Sequence, residues 1–227
     1  MNESNPETPS YQELLEENQR LRQENAELKR VLAFDELTGF YKEEAAKHKA
    51  QQIIGSYFIE STQPLAVSLI LMDLDRLSRF NDYSHNVGNE AIRRFGKFIR
   101  QDIIELLKRR NYPTQGLGEP FFAFRSFDRG DEFGLVLCGV DKEEAEKIAA
   151  DLQDIDIAFV FSHKGEKKTD WIQFSVGVSS TADPEIVRIK SQSDLNLDTK
   201  AKAAYDVLKK KASEAERANK KRGRKNG

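Results

Sequence analysis

Leucines recur every seven residues near the start of the chain, at Leu14, Leu21 and Leu28, and Tyr11, Asn18, Asn25 and Leu32 fill the alternate positions between them. This 3-4 period predicts a coiled-coil helix over residues 11–33. Leucine takes the d positions and two asparagines take a, where a buried amide favours a partner amide and so specifies register and a parallel, two-stranded pairing. The pattern predicts a parallel homodimer through residues 11–32. It leaves open an amphipathic helix packed on its own domain. Residues 1–10, polar and rich in Pro, Ser and Glu, have the composition of a disordered leader.

Beyond the heptads, DELTG at 35–39 predicts a turn and the amphipathic stretch up to Ile59 a helix. The run from Leu65 to Asp75, apolar and β-branched after Pro64, reads as a buried strand ending in carboxylates. Apolar residues at helical spacing (Ile92, Phe95, Ile99, Ile103, Leu106) predict a helix over 89–110, and NYPTQGLGEP a loop. FFAFRSF and EFGLVLCGV are two strand-like runs around a hairpin turn at 128–131. Asp141 caps a helix, with Glu144 at the capping-box position, before strands in FVFS and IQFSVGVSS. Residues 181–198 read as irregular, a helix starts near Thr199, and residues 217–227 form a basic, frayed tail.

Length allows one domain with an appendage, and 38% hydrophobic against 33% charged residues is the balance of a globular chain. The net charge of -2 gives no electrostatic footprint for nucleic acid, and the short tail does not change that. Cys138 has no second cysteine to pair with and lies in an apolar run, which fits a reducing cytoplasm. Neither a membrane-spanning run nor a signal peptide is legible, so a cytoplasmic location is expected.

The chemistry concentrates in two acidic clusters. Asp73 and Asp75 alternate along a strand end and so share a face, where paired carboxylates repel unless something compensates them; a hard divalent cation is the simplest agent. Asp131 and Glu132 lie at the hairpin tip. If their strands are neighbours, both clusters meet around a metal.

In order the chain reads DELTG, MDLDRLSRFNDYSHNVGN, DRGDEF, FSVGVSS and AKAAYDVLKKK. Over residues 34–216 this resembles the GGDEF family of diguanylate cyclases, with an RGDEF signature. The resemblance implies an α/β fold: a central, mostly antiparallel sheet flanked by helices, akin to the palm of nucleotide cyclases. It also implies condensation of two GTP molecules, held by two facing domains, to cyclic di-GMP with release of pyrophosphate.

Carried over by position, Asp73, the carbonyl of Leu74 and Asp131 would ligate Mg2+ (or Mn2+), and Asp131 or Glu132 would take the hydroxyl proton. Main-chain amides at Arg76 and Leu77 would hold phosphates, as would Lys209 on the last helix. Asn81 and Asn89 would meet guanine, and Arg129 and Gly130 would lie against the nucleotide. The chain departs from the family at several positions: Arg129 replaces a glycine, Ser78 a lysine, Ser213 an arginine, and Asn89 an aspartate, trading an acceptor for an amide that also donates, and the segment from Asp82 to His85 is one residue shorter. The same domain without turnover, acting as a nucleotide receptor or dimerisation module, is the alternative.

Overall fold

The computed structural model describes residues 10–59, 66–110, 121–126 and 130–223. The expected leader up to Pro9, the loop at 111–120 and Arg129 fall outside these residues.

Helix α1 (Tyr11–Ala33) leads into the Asp35–Gly39 turn, a two-residue strand β1 (Tyr41–Lys42) and α2 (Glu43–Ile59). Strand β2 (Val67–Leu74) follows, then α3 (Leu77–Asn81) and α4 (His85–Arg109). Next come β3 (Phe121–Arg125), β4 (Glu132–Cys138), α5 (Lys142–Gln153), β5 (Ile157–His163) and β6 (Glu166–Ile172). The chain ends with β7 (Phe174–Ser180), α6 (Pro184–Ser191) and α7 (Leu197–Gly223).

Five strands form one sheet in the order β1-β3-β4-β2-β7, antiparallel throughout except for the parallel β1–β3 pair. β2 is buried along its whole length, because both faces of the sheet are covered. Ile70, Met72 and Leu74 join Phe133, Leu135 and the apolar stripe of α4 and α5. Val67, Leu69 and Leu71 join Val136, α2 and the buried stripe of α7 (Ala201, Ala204, Tyr205, Leu208, Ala212). The period-2 alternation of β2 thus sends Asp73 to the α7 face, and each fully buried aliphatic side chain along it contributes about 1.5–3 kcal/mol.

Several elements differ from the sequence expectation. α4 starts four residues earlier, where the Ser84 hydroxyl accepts from the Val87 amide at 3.2 Å. Residues 181–198 are not wholly irregular: Asp183 caps α6, with proline in its first turn. β6 carries no apolar signal of a strand, since EKKTDWI faces solvent on most positions; it pairs with β5 through a turn with Lys164 and Gly165 at positive φ. This hairpin packs on α3 and α4 through Phe159 and Phe161 against Phe80, and Tyr83 against Phe161. Finally, the tail expected from residue 217 is helical to Gly223 as the last turns of α7.

α7 comes unusually close to the sheet. A β-carbon on Gly177 of β7 would lie 2.0 Å from the Ala212 carbonyl oxygen and 2.2 Å from the Glu216 nitrogen. Only glycine admits the helix backbone there, and the Asn219 amide donates to the Val176 carbonyl at 2.9 Å one turn further on.

Candidate functional site

The carboxyl end of β2 meets the amino end of β4. Asp73 lies opposite Glu132 in the β2–β4 register and opposite Ser175 in β2–β7. Directly opposed residues of an antiparallel pair share a face, so Asp73 and Glu132 lie side by side beneath α7, both buried. Asp131 precedes β4; its carbonyl accepts from the Leu74 amide at 3.0 Å, which clamps the hairpin tip to the strand end. The side chain of Leu74 is in the core, leaving its main chain as the part of this residue at the site.

A second clamp holds the tip from behind. The Arg125 guanidinium donates to the Gly130 carbonyl at 2.7 and 2.9 Å and pairs with the buried Asp35 at 3.1 Å. Asp35 in turn accepts from the Thr38 amide and hydroxyl, so the DELTG turn is the anchor of the acidic hairpin. Gly130 has φ of 74°, a conformation that favours glycine.

Asp75 shares the Asp73 face and accepts from the Ser175 hydroxyl at 3.1 Å. Two α7 side chains with no expected role, Lys220 and Glu216, complete the cluster. Lys220, within the stretch expected as a basic, frayed tail, bonds Asp73 and lies 3.4 Å from Asp75. Glu216 is buried, and one of its oxygens has no hydrogen-bond partner. Burial first, then the nearby Asp73, raises the Glu216 carboxyl above its ordinary value, while Lys220 opposes the rise. Extending the Ala201–Ala212 stripe at helical period reaches Glu216 and Lys220, which is the signal that could have found them.

The remaining expected residues are not all gathered here. Lys209 pairs with Glu43 of α2, whose other oxygen accepts from the Ser126 hydroxyl at 2.6 Å; burial lowers the pKa of the lysine. The Asn81 carboxamide lies against Gly88, where a β-carbon would meet its oxygen at 1.9 Å, and this sets it beside the start of α4, one residue before Asn89. Both asparagines are exposed. Arg76 adopts left-handed geometry (φ 57°) at the head of α3 and supplies no side-chain cap, so the first amides of that helix are not used up by one.

A cleft of about 580 Å³ adjoins the carboxylates, lined by Asp75, Arg76, Trp171, Ser175, Asn219 and Lys220 among others. Of the described residues expected to bind nucleotide, only Arg76 lines it.

The donors at the strand end are oxygens, the set a hard cation takes. No three His, Cys, Asp or Glu side chains converge on one point among the described residues. Magnesium does not need such a cage, since it keeps waters and uses one or two carboxylates with substrate phosphates. Asp73 and Glu132 side by side, with Asp131 at the tip, fit that mode.

No family model matches the sequence, and no curated protein matches it. Solved structures do. A sensory box/GGDEF family protein from Caulobacter crescentus CB15 is 21% identical, with a TM-score of 0.56 over 83% of this chain and 98% of the other. The coiled coil and GGDEF domain of DgcB from Caulobacter crescentus, in complex with c-di-GMP, is 17% identical, with a TM-score of 0.57 over 86% and 90%. The FimX GGDEF domain from Pseudomonas aeruginosa is 15% identical, with a TM-score of 0.54 over 82% and 94%. With its five-stranded sheet and helices on both faces, this chain has the fold of GGDEF domains.

Proposed function

We propose that the β2–β4 end binds GTP with a divalent cation, and that two such domains, paired through residues 11–32, condense two GTP molecules to cyclic di-GMP. The observation that carries this reading is the register of Asp73 on Glu132, with Asp131 joined to Leu74 one step beyond. It sets acidic oxygens from two strands at one strand end, beside the uncapped start of α3 and a cleft large enough for a nucleotide.

On this reading Asp73, the Leu74 carbonyl and Asp131 hold Mg2+, which when bound offsets charge on the triphosphate. Asp131 or Glu132 accepts the proton of the attacking 3'-hydroxyl. The amides of Arg76 and Leu77 face the phosphates, Asn81 and Asn89 contact the base, and Gly130 leaves room beside it. Lys209 must leave Glu43 before it can reach a phosphate.

That ion pair, and the hold of Lys220 on Asp73, favour a second reading: a domain that binds GTP or a cyclic dinucleotide without turnover. Incubation with GTP and Mg2+, followed by chromatography for cyclic di-GMP and pyrophosphate, separates the two. Product that disappears in Asp131→Ala supports the cyclase. Calorimetric binding of GTP with no product supports the receptor.

A further inference from the structure

The last turns of α7 carry a cation into the carboxylate cluster. Lys220 Nζ bonds Asp73 Oδ1 and stands 3.4 Å from Asp75 Oδ1. Two contacts fix the helix that delivers it: the close approach over Gly177 and the hydrogen bond from Asn219 to Val176. Asp73 is buried and Lys220 mostly so, which shields the pair from the screening that weakens surface ion pairs. An ammonium on Asp73 Oδ1 occupies a lone pair a metal ion would use and repels a second cation at that distance.

Resting on the reading that Asp73 is a ligand of the divalent ion, we propose that Lys220 is a tethered competitor for that ion. It offsets one of the two negative charges of Asp73 and Asp75 when no metal is bound and must withdraw into the adjoining cleft, which it already lines, for the ion to enter. Metal binding is therefore weaker than the carboxylates alone would give, and it is coupled to the position of the α7 terminus.

Titration of Mn2+ into the full chain, followed by the paramagnetic resonance of the free ion, tests this. Lys220→Met keeps the aliphatic stem and helix propensity and should bind Mn2+ about tenfold more tightly, the scale of one charge-assisted hydrogen bond. Lys220→Arg keeps the charge and should bind as weakly as the wild type. Adding Asp73→Asn should abolish the gain. Equal affinity in wild type and Lys220→Met, lost from both with Asp73→Asn, would overturn the competition and leave Asp73 a ligand. Tight binding by Lys220→Met that survives Asp73→Asn would instead remove Asp73 from the metal site.

Discussion

Glu216 sits on the sheet-facing side of α7 with one carboxylate oxygen lacking a partner, and its charge is opposed by burial and by Asp73. An acid whose folded pKa is raised costs the folded state stability once pH passes the ordinary value of 4.5, and the loss grows as pH rises through the folded value. Glu216→Gln removes that cost, so in chelator at neutral pH the variant should melt at a higher temperature than the wild type. The difference should vanish below 4.5, where the wild-type carboxyl is protonated in both states; thermal melts across that range check it. Tyr205 is held neutral for a similar reason, as burial and then acidic neighbours raise its phenol.

At the scale of elements, α7 is set by one residue of β7. Gly177→Ala would place a methyl group against main-chain atoms of Ala212 and Glu216, which cannot rotate away. Urea unfolding should show a loss of about 1–3 kcal/mol or more. The chain announces its buried elements plainly: β2, β4 and the α4 stripe stand out because their apolar periods are strong and uninterrupted. β6 does not, because Lys167, Lys168 and Asp170 occupy a half-solvated hairpin where pairing with β5, rather than burial, makes the strand. Asp73, Asp131 and Glu132 were legible as carboxylates at strand ends, and the register places Asp73 beside Glu132 rather than Asp131. Lys220 was not, since its partner lies 147 positions away and its own neighbourhood reads as a basic tail. Lys209 shows the converse: a family position matched by sequence, yet tied to Glu43 by a contact that no local pattern reveals.

For the whole molecule, α1 leaves Leu14, Leu21 and Leu28 between 44 and 54% exposed, an apolar seam about half open to solvent. A second copy covers that seam if the heptads pair, and two facing domains are what a two-substrate condensation needs. Light scattering should give twice the 26.0 kDa of one chain, and Leu21→Glu with Leu28→Glu should return it to one. The monomer should keep nucleotide binding but lose product formation. The proposed function requires that the Asp73 end of β2 hold a nucleotide through a divalent ion. Calorimetric titration of the full chain with a non-hydrolysable GTP analogue in Mg2+ probes that directly: binding should be present, and should be lost both in chelator and in Asp73→Asn. Binding of equal strength in Asp73→Asn, or no binding by the wild type in Mg2+, would contradict it.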